Sequence, residues 1–237
     1  MDFDPGVLAE AMVRLRRALS DNGLQIEFLS DIYEYKDRVE STRGQAIDSQ
    51  FSPMMFDFHP SNFIGLFLVN EKKEVVGAQS LRLENLGTSN LRKIIYNQQD
   101  RLYGQGPQGG KLSSSFSSGT NTISGQTVYH GGLWLSEECQ RKRRHSFNTG
   151  AAFIKYAHLV SHAKWYPDFI YGYMKPKSVY KGLAAQYWIP HVLPYMFQWE
   201  EVPDQHQCLE WEFLCYLTQF DLVEQTALIS NGRFLNH

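Results

Sequence analysis

Residues 128–174 constrain the fold of this chain more than any other stretch. VYHGGLWL at 128–135 reads as a strand, TGAAFIKYAHLVSHAK at 149–164 as a helix, and FIYGYM at 169–174 as a second strand. A strand, a helix and a returning strand make a βαβ motif, and the crossover sets the two strands parallel. A short helix is expected after it, at about Ser178 to Tyr187.

The flanking sequence follows other periods. Leu8, Met12, Leu15 and Leu19 recur at helical spacing and stop at Asp21-Asn22-Gly23, which predicts an amphipathic first helix. Ile26–Leu29 reads as a short strand, Ser30 or Asp31 as a cap, and Ile32–Val39 as a helix; FSPMMFDFHPSNF reads as a loop. The apolar runs Phe63–Val69 and Val75–Leu83, joined by the polar NEKKE, predict an antiparallel hairpin. Leu91, Ile94, Ile95 and Leu102 predict a helix, and the Gly/Ser-rich GQGPQGGKLSSSFSSGTNTISGQ predicts a flexible loop or lid. His191–Trp199 and Cys208–Leu217 predict a closing antiparallel pair. Neither flank of the Gly/Ser-rich stretch holds enough elements to close a core alone. The expectation is therefore one domain over residues 1–237, with a helix and a Gly/Ser-rich insertion at about 87–127. Its class is α/β (α+β): a mixed, mostly antiparallel sheet flanked by helices, with one parallel strand pair.

Composition narrows the partners. With 43% hydrophobic, 14% aromatic and 20% charged residues, the chain can bury a sizeable core. Its net charge of −2 gives no general attraction to nucleic acid or anionic membrane, so any basic site is local. Three cysteines, Cys139, Cys208 and Cys215, lack the spacing of a disulfide framework or a structural zinc site. No apolar run approaches the roughly 20 residues that span a bilayer, and the first residues have the reverse order of a secretory signal. The expectation is a soluble cytoplasmic protein with no membrane partner.

The stretch from Gly131 to Val160 carries the chemistry. FNTGAAF opens the 149–164 helix directly after a strand, with Ser146, Asn148 and Thr149 available as caps. A helix N-terminus leaves backbone N–H groups without internal partners and carries partial positive charge, so it is a natural seat for phosphate. Arg141, Lys142, Arg143, Arg144 and His145 lie just ahead and could neutralise a diphosphate.

The order of elements, together with FNTGAA, resembles the GNAT superfamily of acyl-CoA acyltransferases over about residues 24–217. Members carry Gln/Arg-x-x-Gly-x-Gly/Ala between the fourth strand and the next helix; Phe147, Asn148, Thr149, Gly150, Ala151 and Ala152 match it here. Phe147 replaces the expected polar side chain, for which Arg143 or Arg144 is the candidate substitute, while main-chain donors survive. The resemblance implies acetyl-CoA or another acyl-CoA as co-substrate, its phosphates on 148–152 and its pantetheine arm along Leu133, Trp134 and Leu135. It implies Glu137 or Glu138 as general base, because an ammonium acceptor must lose a proton before attacking a thioester. It implies Tyr180, or second Tyr187, as the acid that protonates the departing thiolate. The thioester would lie across the gap between the two parallel strands. The acceptor would be an amine of a small molecule or peptide. A non-catalytic binding protein of GNAT fold is the alternative, given Phe147.

Other residues read more plainly. His158 and His162 share a helix face at the spacing of HExxH metal sites, but Leu159 stands in the glutamate position and no third ligand is evident, so they read as surface histidines and no metal is expected. Cys139 beside the basic run could ionise readily, yet no His partner is identifiable. Cys208 and Cys215 read as core residues. QRKRRH suggests RNA or DNA contact as the reading from another functional class, against which the acidic balance counts.

Overall fold

Asp4 opens the first helix, its carboxylate accepting from the N–H groups of Gly6 and Val7. The computed structural model describes residues 4–103, 111–141, 147–194, 196–201 and 212–233. Helix α1 (Pro5–Ser20) buries Leu8, Ala11, Leu15 and Leu19, the stripe that helical spacing predicts. Strand β1 (Leu24–Leu29) follows, then α2 (Ile32–Arg43), capped by Asp31 and stopped by Gly44 in the left-handed conformation. A single 3-10 turn at Ser49–Phe51 leads to β2 (Phe63–Asn70) and β3 (Val75–Asn90), the expected antiparallel hairpin.

Next come α3 (Leu91–Tyr103), β4 (Lys111–Phe116), α4 (Gly119–Thr122) and β5 (Ser124–Leu135). After α5 (Glu137–Arg141) the long α6 (Thr149–Trp165) crosses to β6 (Phe169–Met174). The chain ends with α7 (Pro176–Tyr180), α8 (Leu183–Gln186), β7 (His191–Leu193), β8 (Phe197–Glu201), β9 (Phe213–Thr218) and α9 (Gln219–Ser230). Among the described residues, hydrogen-bonded strands run in the order β1-β2-β3-β5-β6-β9-β7. β1 with β2, β2 with β3 and β7 with β9 pair antiparallel, and β5 and β6 pair parallel through Thr127–Tyr129 and Phe169–Tyr171, as the βαβ motif requires. This is the mixed, mostly antiparallel sheet with one parallel pair that the sequence predicts.

The chain divides into two compact units. The first holds Met1–Leu83, His130–Tyr166 and Thr218–His237. In it α1 packs against α6 and α9, α2 packs against β2, and β2 is buried on both faces. The Tyr35 ring of α2 lies so flat on β2 that a Cβ on Gly65 would come within 2.2 Å of it. The second unit holds Glu84–Tyr129 and Pro167–Leu217.

Four expectations need correction. The Gly/Ser-rich loop contains a strand: β4 pairs antiparallel with β8 through Lys111↔Glu201 and Leu112↔Trp199. Weak local preference yields there to a partner strand distant in the chain. A Cβ on Gly119, the first residue of α4, would meet Leu193 at 2.3 Å, so the position takes no side chain. The helix expected at 178–187 is two short helices, broken at Gly182 with φ +74°. The strand expected at 191–199 splits at Pro194, which lacks an N–H: β7 pairs with β9 as predicted, whereas β8 pairs with β4. Helix α9 was not expected, although Thr218 and Asp221 form a reciprocal capping box.

Candidate functional site

Two elements of the first unit carry the residues singled out for cofactor binding. The first is the start of α6. Asn148 is the cap: its side chain accepts from the N–H of Ala151 at 3.0 Å, and its carbonyl accepts from Ala152 at 3.0 Å. Those bonds engage two of the four donors in the first turn. The N–H groups of Thr149 and Gly150 have no acceptor within the helix, because nothing lies a turn ahead of them. The helix is long enough for an appreciable dipole and has no acidic residue in its first turn to quench it. Phe147 is half-buried just before the cap. Arg143 and Arg144 lie outside the described residues, as does most of the basic run.

The second element is the later part of β5. Gly132 has φ +64° inside the strand, a left-handed residue where the pleat would demand an extended one. A side chain there would also press on the Ser80 hydroxyl at 3.1 Å. Ser80 donates to the carbonyl of Gly131 at 3.5 Å, and Tyr35 bonds to Ser80 from the α2 side. Burial raises the Tyr35 phenol well above its ordinary range, so it stays protonated. Beyond the glycines, Leu133 is exposed while Trp134 and Leu135 are half-buried. Ser136 donates to Val76, and Gly77 lies close under Leu135, which fixes the end of the strand against β3.

Glu137 and Glu138 occupy the first turn of α5, both exposed, one and two residues past Ser136. Cys139 is half-buried, and its N–H donates to the Ser136 hydroxyl. In the second unit, Tyr180 ends α7 with 73% of its surface exposed, edge-on to Phe213. Tyr187 is buried, which raises its phenol. Cys215 is buried and its thiol is pushed up to about 12, consistent with a core residue. Cys208 lies outside the described residues. A carboxylate that sequence reasoning passed over, Glu84, accepts from the Tyr171 hydroxyl at 2.5 Å in this unit.

The histidines of α6 correct the sequence reading most. His158 and His162 are not at the surface: each is 1% exposed. Helix α6 is buried on nearly every face because α1 and α9 both lie against it. His158 meets His130 of β5 at 3.2 Å, and the other ring nitrogen of His130 meets Gln79 of β3 at 2.9 Å. Burial holds His130 down at about 4 and His158 well below its usual range, so both are neutral at pH 7. Lys155, on the same helix and 3% exposed, is lowered to about 8 by the same desolvation. Among the described residues no group of three His, Cys, Asp or Glu side chains could hold a metal. No described helix is long and apolar enough to cross a membrane.

No family model matches this chain, and no curated protein does. Solved structures with a similar trace exist at low identity. FeeM, an N-acyl amino acid synthase from uncultured soil microbes, is 14% identical, with a TM-score of 0.47 over 86% of this chain and 95% of its own. The spermidine/spermine N-acetyltransferase SpeG from Vibrio cholerae is 10% identical, with a TM-score of 0.45 over 85% and 98%. RimJ from Mycobacterium smegmatis, solved with CoA-disulfide, is 11% identical, with a TM-score of 0.38 over 95% and 86%. From β1 the present chain runs strand, helix and antiparallel hairpin, then α3, β4 and α4, and the strand β5. The short α5, the capped α6, the parallel strand β6, two short helices and the antiparallel pair β7 and β9 follow, with β8 between them in sequence.

Proposed function

We propose that this chain is an acyl-CoA-dependent acyltransferase that moves an acyl group to an amine. One observation carries the reading: a long helix opens after a strand of the parallel pair with two main-chain donors, Thr149 and Gly150, unused by its own cap. These donors suit a phosphate oxygen, and they do not depend on the side chain that Phe147 replaces. Acyl-CoA would supply an activated thioester. The main chain of Leu133, Trp134 and Leu135 would bond the pantetheine arm. The site's first task is electrostatic, holding phosphate at α6 by Thr149 and Gly150, with Ala151 and Ala152 shaping the turn that Asn148 caps.

Glu137 or Glu138 would accept the proton that an ammonium acceptor loses before its nitrogen attacks the thioester carbonyl. Tyr180 would return a proton to the sulfur as the carbon–sulfur bond breaks. Arg143 and Arg144 would add charge near the phosphates. The acceptor's class is a small-molecule or peptide amine.

Calorimetric titration with acetyl-CoA and longer acyl-CoAs tests the reading, with binding expected below millimolar concentration. No heat with any of them defeats it. If transfer is observed, Tyr180→Phe and the pair Glu137→Gln, Glu138→Gln should each lower turnover about 10²-fold or more. Unchanged turnover removes those roles. A second reading, a binding protein that keeps the fold without the chemistry, is favoured by Phe147 in place of the family's polar residue. CoA binding with no transfer to any amine would support it.

A further inference from the structure

The polar chain Gln79–His130–His158 lies inside the first unit and has a definite direction. Gln79, fully buried, donates its amide N–H to the carbonyl of Phe153 on α6 at 2.7 Å. Its oxygen is therefore the atom that faces His130, so His130 donates from Nε2. A neutral His130 then presents Nδ1 as an acceptor, and His158 must donate to it from Nε2. The geometry thus fixes both tautomers. Burial disfavours the charged form of both rings, in agreement with neutral tautomers.

This chain of bonds joins the elements that hold the two ends of the proposed cofactor. His130 stands immediately before the Gly131-Gly132 irregularity and three residues before Leu133. Phe153 and His158 lie on α6, one and two turns beyond its phosphate-binding start. Gln79 ties both to β3. We propose that Gln79, His130 and His158 are positioning residues that hold the start of α6 at a fixed offset from the Leu133–Leu135 strand, so that phosphate and pantetheine engage together. None of them touches the ligand. The inference rests on the proposed acyl-CoA site.

A fixed offset acts only on a ligand long enough to span both subsites. When two contacts are rigidly spaced, the second forms at high effective concentration, and loosening the spacing costs the whole ligand but not its fragments. The experiment compares CoA, 3′,5′-ADP plus inorganic pyrophosphate, and pantetheine as probes on wild type, His130→Phe and His158→Phe, with melting temperatures recorded alongside. CoA should bind about tenfold or more weakly to the variants, while each fragment binds as it does to wild type. Equal losses for CoA and fragments, or no loss, would overturn the positioning role. CoA failing to bind wild type would instead defeat the acyl-CoA reading, and the positioning role with it.

Should both variants fail to fold, the wild-type protein still tests the hydrogen-bond direction on which the positioning role depends. Its histidine ¹⁵N spectrum at neutral pH should show His130 and His158 as neutral Nε2–H tautomers, and adding CoA should not alter them. Nδ1–H tautomers or protonated rings would overturn the assignment.

Discussion

His158 and His162 lie one turn apart on α6, each 1% exposed, and their titration is a stability term for the fold. Burial lowers His162 to about 4 and His158 well below its ordinary value; His158 also faces His130 from β5, Lys155 from α6 and Gln225 from α9. A base whose folded value is depressed binds more protons unfolded than folded between the two values. Its neutral form therefore supports the fold fully above about 6.5, and that support is lost as pH falls from 6.5 toward 4. The slope approaches about 1.4 kcal/mol per pH unit for each such histidine. Urea midpoints at pH 7, 6, 5 and 4.5 should fall steeply over this window, and His162→Gln should flatten the fall. A stability independent of pH between 7 and 4.5 would contradict the burial of these rings. Nothing in the spacing of His158 and His162 distinguishes a buried pair from a solvated one, because the helices that cover them come from the two ends of the chain.

Elements differ in how much of their cause is local. Helix α9 depends on a reciprocal cap in which Thr218 accepts from Asp221 and Asp221 accepts from Thr218. Thr218→Ala should cost about 1 kcal/mol, read as a shift of the urea midpoint at constant slope. That cap is legible in the sequence as T-x-x-D before an apolar run, and so are Asp4, Asp31 and Asn148, because a cap acts over two or three residues. Gly65 is a different case. It looks like a weak spot in an apolar strand, yet the Tyr35 ring occupies the place of its Cβ, so Gly65→Ala should destabilise by about 1–3 kcal/mol through overpacking. A stable Gly65→Ala protein would mean that Tyr35 is not seated there. Strand β4 is the strongest case of non-local cause, since KLSSSF pairs with a strand about ninety residues later along the chain.

At the scale of the whole molecule, a ligand that binds only the folded chain raises its stability by mass action. An acyl-CoA held at about a hundred times its dissociation constant should add about 2.7 kcal/mol, and for a chain of this size that is about 5–10 °C in melting temperature. Thermal scans with and without acetyl-CoA and longer acyl-CoAs would rank the donors, and no shift with any would count against the proposed function. The parallel pair, the hairpin and the first helix follow from period and spacing along the chain, so the sequence by itself determined those elements and a helix start near 149 with Ser146, Asn148 and Thr149 as candidate caps. Tertiary structure decided the rest. It seated Tyr35 and Ser80 against the left-handed Gly132 and brought Gln79 and His130 to His158. The physical reason is range: caps and periodic faces are satisfied within a few residues, whereas a buried polar side chain finds its partner only after distant strands and helices have closed around it.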